Sequence, residues 1–281
     1  MGSASSHLWL QLAWRRACRR SPRQNPNTAS FQSGYDKSRI LASNPSTPKL
    51  DQLKSEFGIQ TTQSNDEACQ FADAIVLAVK PQIMGDMCAD LQHNNDLSGK
   101  LFLSIAAGLP VARLQAMLGG DYPVVRIMPN TPSLLGKGMS GMYADSTVCE
   151  DDRTYVDDVM NSVGETVWVE QEEGINGVIA AAGSSPAYFF LFLQCMQEEA
   201  MAMGFDKAQS RLMVQQAMLG AAEMVCHNPD LELSELRAQV TSKGGTTAEA
   251  VNTFIDEGLK DIVSKSMRAA VARAEEMAKQ L

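Results

Sequence analysis

Ala74-Ile75-Val76-Leu77-Ala78-Val79, followed by Lys80-Pro81-Gln82, is the stretch whose reading decides the fold. An apolar run without alternation describes a strand covered on both faces, as inside a parallel sheet. Pro81 ends it, because proline offers no N–H to a ladder and suits the first turn of a helix. A helix is expected from about Gln82 to Leu91. The same alternation returns on either side. Arg39–Ser43, Lys100–Ile105, Tyr122–Met128, Met139–Tyr143 and Thr166–Val169 read as further strands. Helices fall between them, over Thr47–Phe57, from Ser64 onward, over Pro110–Leu118 and over Asp151–Val163. Thr47 is expected to cap the first, with Pro48 behind it, and Ser64 the second, with Glu67 three residues on. Strands and helices alternating at this spacing imply an α/β domain built on a Rossmann-like parallel sheet.

The pattern changes after Glu170, beyond which no convincing strand occurs. Pro186–Met203 is apolar nearly all round, through Tyr188, Phe189, Phe190, Leu191, Phe192, Leu193, Met196 and Met201. A helix without a polar face needs covering on all sides. An all-α domain of about a hundred residues rarely manages that alone, so a subunit interface is expected. Asp206–His227, Leu231–Val240, Thr246–Glu257 and Leu259–Gln280 read as its other helices.

Composition narrows the function. The chain has 281 residues, 44% hydrophobic and 20% charged, as in a soluble globular protein. A formal charge of -9 argues against general nucleic-acid binding, since phosphate backbones are held by Lys and Arg. Apolar runs are broken by charges or glycines well short of about 20 residues, so no membrane span is expected. Cys18, Cys69, Cys88, Cys149, Cys195 and Cys226 form no C-x-x-C pair, which fits a reduced, cytoplasmic protein. His7, His93 and His227 are far apart, and no metal site is expected.

Several strand ends and helix starts carry residues suited to ligands. Ala78-Val79-Lys80-Pro81 and Ile105-Ala106-Ala107-Gly108 stand at carboxyl ends of strands, where open α/β sheets bind ligands. Small residues there let a flat ring approach the backbone, although a tight turn explains them equally. Asn130 and Thr131, between Pro129 and Pro132, are free to bond a ligand or their own backbone. Gly183-Ser184-Ser185-Pro186-Ala187-Tyr188 opens the apolar helix; either serine can cap it, and a helix N-terminus also attracts a carboxylate. Thr241-Ser242-Lys243-Gly244-Gly245-Thr246-Thr247 is the densest group, with four hydroxyls, two glycines and a lysine ahead of a helix. It suits a carboxylate or phosphate, and a plain capped turn is the competing reading. The order is not that of a P-loop, and no G-x-S-x-G elbow with a placed histidine occurs.

Taken in order and spacing, Ala78–Gln82, Ile105–Gly108, Val125–Pro132, Gly183–Tyr188 and Val240–Thr247 resemble the pyrroline-5-carboxylate reductases. The resemblance runs from about Gly34 to Leu281. It implies residues 34–170 as an NADP-binding Rossmann-like domain and 171–281 as a helical substrate and dimerisation domain. The implied reaction is NADPH-dependent reduction of 1-pyrroline-5-carboxylate to L-proline, the last step of proline biosynthesis. Carried over, Thr247 bonds the ring nitrogen or a nearby water. Ser242, Gly244, Gly245 and Thr246 hold the carboxylate. Ala78, Val79, Lys80, Pro81, Ile105, Ala106 and Ala107 line the nicotinamide side, and Asn65 lies near the adenine. Ser43 and Asn44 fall at the adenosine ribose. An acid there would select NAD; none stands between Ser43 and Thr47, and Lys49 is near, so NADP is favoured over NADH. The implied assembly is a homodimer through the helical domain, or a larger ring. A β-hydroxyacid-dehydrogenase-like oxidoreductase is the alternative, but its catalytic lysine has no counterpart in Pro186–Met203.

Two departures stand out. The family has proline where this chain has Lys243. The family also opens with a strand and a G-x-G-x-x-[AG] turn, whereas residues 1–33 contain one glycine, Gly2. That segment has an Arg cluster at 15, 16, 19, 20 and 23 and no acid before Asp36. Its composition is that of a mitochondrial transit peptide or a disordered arm, but neither replaces a strand. A shifted reading frame does: Trp14-Arg15-Arg16-Ala17 is what codons for Met-Ala-Gln-Ser give one base later. On this reading coenzyme binding is impaired, and a catalytically weak dimeric protein is the alternative to an active reductase.

Overall fold

The computed structural model describes residues 11–14 and 36–280. Packing divides the chain into two units. One comprises the residues up to Gly183 joined by those from Ala270 on; the other is Ser184–Ala269. The proposed division at residue 170 therefore differs from the packing division at Gly183.

Among its described residues the first unit holds eight strands: β1 (Gln11–Trp14), β2 (Ile40–Ser43), β3 (Gln60–Thr62), β4 (Ala74–Leu77), β5 (Leu101–Ser104), β6 (Val124–Met128), β7 (Gly138–Ala144) and β8 (Gly164–Trp168). They form one sheet in the order β3-β2-β1-β4-β5-β6-β7-β8. That is the Rossmann order with two strands added at one edge. β2 and β3 are parallel, as are β4, β5 and β6. β7 runs antiparallel to β6, and β8 follows β7. β1 lies between β2 and β4 and is antiparallel to both, Gln11 pairing with Ser43 and Trp14 with Ala74. The sheet is thus mixed, although its coenzyme-type core β4-β5-β6 is parallel as expected.

Five helices flank these strands: α1 (Thr47–Phe57), α2 (Asn65–Phe71), α3 (Pro81–Asn94), α4 (Val111–Leu118) and α5 (Glu150–Asn161). Each buries one stripe. α3 turns in Met84, Met87, Cys88 and Leu91, and α4 turns in Val111, Leu114 and Leu118. This is the spacing of one helix face. They close over Leu77 and Phe102, while Val125, Ile127, Met142 and Val156 form a second cluster with Leu101 and Leu103. Ser64 caps α2 by accepting from Glu67 N. At α1 the expected cap moves by one residue: Ser46 holds the N-cap position without a side-chain bond, and Thr47 is already helical. β3 escapes sequence reading because Gln60-Thr61-Thr62 is short and polar.

Beyond β8, α6 (Gly174–Val178) leads through a π-helical turn (Ile179–Gly183) into α7 (Ser185–Ala202). α8 (Lys207–His227), α9 (Leu233–Gln239), α10 (Thr246–Asp256) and α11 (Leu259–Gln280) follow. A capping box of Asp206 and Gln209 starts α8. No residue of α7 or α10 is buried. The helical run Gly174–Ala202, 29 residues long, is long and apolar enough to cross a membrane by length and composition. The sequence reading missed this run because Gly174, Gly177 and Gly183 interrupt it, whereas the π turn carries the helix through. The described cysteines are free. Burial pushes the Cys88 thiol up to about 12, which leaves it neutral and unreactive.

Candidate functional site

The carboxyl edge of the parallel strands gathers the expected coenzyme residues within the first unit. Ser43, the last residue of β2, is buried, and its Oγ donates to Asn65 Oδ1 at 2.7 Å. Ser43 and Asn65, 22 positions apart, are thereby brought together, tying the end of β2 to the first turn of α2. Asn44 N–H donates to Thr62 O at 3.2 Å, and Asn44 Oδ1 accepts from Ser46 N at 2.9 Å. The chain is turned there into α1 with hydroxyl and amide groups, and no carboxylate, at Ser43–Thr47.

At the neighbouring strand end, Ala78 is buried and Val79 packs on the core. Lys80 is exposed at the N-cap of α3, with Pro81 behind it and no side-chain cap. β5 continues into Ile105–Pro110. Ile105 N–H donates to Leu77 O at 3.3 Å, and Ala106 N–H to the buried Ser104 Oγ at 3.4 Å. Gly108 takes a positive φ of 81°, which lets the loop turn back into α4. Pro110 holds the N-cap position of α4 and has no acceptor to cap it. The acceptor comes instead from Glu172, whose Oε1 takes a hydrogen bond from Val111 N at 2.9 Å and another from Arg126 Nη1 at 3.0 Å. Sequence reading missed Glu172 because it lies 61 positions from Val111.

Asn130 proves to be occupied internally. Its Nδ2 donates to Ala182 O in the π turn at 3.0 Å, and its Oδ1 accepts from Met139 N at 2.9 Å. It is a brace between β7 and that turn, not a free ligand group. A π turn leaves carbonyls out of register with the helix ladder, and the Asn130 amide satisfies one of them. Thr131 begins a 3₁₀ turn (Thr131–Leu135) and is exposed.

At the start of the helical unit Ser184 holds the expected N-cap position of α7, but without the capping bond. Its angles are helical, since the helix already runs in from the π turn. Thr241–Thr247 forms a hydrogen-bonded turn. Gly245 N–H donates to Ser242 O at 3.0 Å, and Gly244 has a φ of 74° at the third position of that turn. A Cβ on Gly245 would stand 2.5 Å from Ser242 Oγ, so a larger residue there would require that hydroxyl to rotate away. The Gly245 N–H, expected to face a carboxylate, donates within the turn in this structure. The first N–H groups of α10, at Thr246, Thr247 and Ala248, have no partner within the helix by geometry. Ser242, Gly244, Thr246 and Thr247 are exposed beside them. Thr241 Oγ1 is turned away, donating to Arg237 O at 2.6 Å. Among the described residues no group of His, Cys, Asp or Glu is placed to hold a metal.

Comparison with known proteins agrees with this architecture. A family model for pyrroline-5-carboxylate reductase dimerisation matches residues 172–277, and one for NADP oxidoreductase, coenzyme F420-dependent, matches residues 24–108. The pyrroline-5-carboxylate reductase of Vibrio alginolyticus is 56% identical over 246 residues, 88% of this chain and 90% of that protein. That of Haemophilus influenzae is 42% identical over 247 residues, with the same coverages of 88% and 90%. Among solved structures, the pyrroline-5-carboxylate reductase of Coxiella burnetii superposes with a TM-score of 0.84 at 37% identity, covering 88% of this chain and 92% of its own. The Plasmodium falciparum enzyme, solved with NADP bound, gives a TM-score of 0.75 at 30% identity over 86% of this chain and 88% of its own. With the sheet order, the glycine-built turn before α10 and these relatives together, the chain belongs to the pyrroline-5-carboxylate reductase family of oxidoreductases.

Proposed function

We propose that this chain reduces 1-pyrroline-5-carboxylate to L-proline with NADPH, as a homodimer joined through its helical unit. The observation that carries the reading is the exposed turn Ser242–Gly245, which delivers two threonines and unpaired N–H groups at the start of α10. Such a helix start attracts a carboxylate. Ser242 Oγ and the Thr246 N–H hold the substrate carboxylate, and Thr247 Oγ1 bonds the ring nitrogen or the water beside it. The ring imine takes its proton from solvent, so no residue of perturbed acidity is required. The protein's work is orientation, which by itself lowers a barrier substantially.

NADPH, when bound, supplies the hydride. Val79, Pro81, Ile105, Ala106 and Ala107 offer small and apolar groups suited to the nicotinamide face, with the exposed Lys80 beside them. Ser43, Asn44 and Lys49 suit the 2′-phosphate, and Asn65 the adenine side. The pyrophosphate does not fit equally well. In the Rossmann arrangement it rests on the turn at the carboxyl end of the strand held here by β1. β1 is antiparallel, so its carboxyl end, Trp14, lies opposite Ala74 at the far edge of the sheet. The sequence after it has no glycine before Gly34, and the reading therefore includes weak NADPH binding.

The test is NADPH oxidation with 1-pyrroline-5-carboxylate, for the full chain and for one whose first 33 residues are replaced by a strand and glycine turn. Two lost charge-assisted hydrogen bonds correspond to roughly a hundred-fold in kcat/KM for NADPH, in favour of the replaced chain. In that background Thr247→Ala lowers kcat by about a hundred-fold. Substrate-independent rates in both chains would overturn the function. Equal NADPH affinity in both would overturn the coenzyme-binding part alone.

A further inference from the structure

Glu172, which anchors the far end of the Ile105–Pro110 loop, lies outside every motif that carries the family resemblance. Glu172 sits between β8 and α6, and one of its oxygens accepts from both Val111 N and Arg126 Nη1. Arg126 is 6% exposed, and the Glu172 side chain is 20% exposed. Arg126 pairs in register with Ser104, the residue whose Oγ accepts from Ala106 N. The loop is therefore clamped at both ends, by Leu77 O and Ser104 Oγ where it leaves β5 and by Glu172 where it enters α4. A buried ion pair of this kind is a poor device for stability, since apolar residues of equal volume usually do as well. What an apolar pair cannot do is accept from the first N–H of a helix whose N-cap is proline.

We propose that Glu172 is a positioning residue for the coenzyme, acting through Val111. It fixes the Ile105–Pro110 loop at the height at which Ala106 and Ala107 meet the nicotinamide, and Arg126 aims its carboxylate. The inference rests on the assignment of that loop to the coenzyme made above. It predicts a defect confined to coenzyme handling, because the groups bonded to Glu172 are Val111 N and Arg126 Nη1, both beside the Ile105–Pro110 loop.

The decisive variant is the paired Arg126→Met with Glu172→Met in the full chain. The pair keeps its volume, so the melting temperature is expected to stay within a few degrees of the parent. Without coenzyme, hydrogen exchange at the Val111 amide is expected to rise about tenfold, the size of one charge-assisted hydrogen bond. The kcat/KM for NADPH is expected to fall about tenfold, with the KM for pyrroline carboxylate unchanged. Parent-like exchange at Val111, or parent-like NADPH kinetics, overturns the inference. Should the paired variant not fold, Glu172→Gln carries the test. It keeps an acceptor for Val111 but loosens Arg126, and a fall of about threefold in NADPH kcat/KM is expected. An unchanged value there overturns the inference as well. A parent chain with no substrate-dependent turnover, even with the glycine turn restored, overturns the functional reading and this inference together, whereas an active parent with unaffected variants overturns the inference alone.

Discussion

The two units treat their apolar residues in opposite ways. In the sheet unit Phe102, Leu77, Leu114 and Leu118 are fully buried between the strands and α3 or α4. In the helical unit Phe190 is 68% exposed, Leu191 61% and Leu212 64%, and the buried residues come down to a few such as Ser210, Val214 and Leu236. The sheet unit closes its own core; the helical unit is an open half of one. Exposed apolar surface of this extent marks an interface, and the proposed homodimer, in line with the match to a dimerisation family model, would cover it with a second copy. The same proposal would cover Gly174–Ala202, apolar enough for a membrane by composition.

Three substitutions break or sharpen this contrast. The largest effect belongs to the sheet unit. Phe102→Ala leaves a cavity among residues that cannot collapse and is expected to cost about 3–5 kcal/mol, independent of protein concentration, read by denaturant unfolding at two concentrations. In the helical unit the equivalent change acts through association. Phe190→Glu is expected to weaken the dimer by about 2 kcal/mol per copy, seen as a shift toward monomer in sedimentation, with the fold of the sheet unit intact by exchange at Leu77 and Leu103. A variant as dimeric as the parent would place the interface elsewhere. The smallest effect tests a turn that needs no partner. Lys243 is the second residue of the turn closed by Gly245 N–H to Ser242 O, the position that favours proline. Lys243→Pro is expected to stabilise by about 0.4–1 kcal/mol through the unfolded chain, read as a small rise in melting temperature at constant dimer content.

Legibility in the sequence followed the range of the interaction. Ala74–Val79 announced a buried strand because its apolar run is unbroken, and β4 lies there at Ala74–Leu77. Ser64 announced a cap because its partner, Glu67 N, is three residues away. The turn before α10 announced itself because two glycines and its hydroxyls are adjacent. Three features were not legible. Asn130 looked free, and only folding brought Ala182 O and Met139 N against it. Gly245 read as a donor to a ligand, and in the structure its N–H donates to Ser242 O. Glu172 carried no signal at all, because a carboxylate that caps a helix 61 residues away has no periodicity to betray it.

The sequence by itself therefore determined the class of fold, the location of the strand-end and helix-start motifs, and the family they belong to. Those depend on local propensity, periodicity and spacing, which one chain displays without being folded. Only the tertiary structure decided which polar groups are bonded within the protein, that Glu172 and Arg126 anchor the Ile105–Pro110 loop, and that the strand between β2 and β4 runs antiparallel. Each depends on which distant group meets a given N–H or carbonyl, and strand direction is fixed by ladder pairing that either direction satisfies. The residues before Gly34 were marked as departing from the family by their missing glycines. Only the sheet decided that Gln11–Trp14 occupies the place where the coenzyme-binding strand belongs, pointing away from the coenzyme edge.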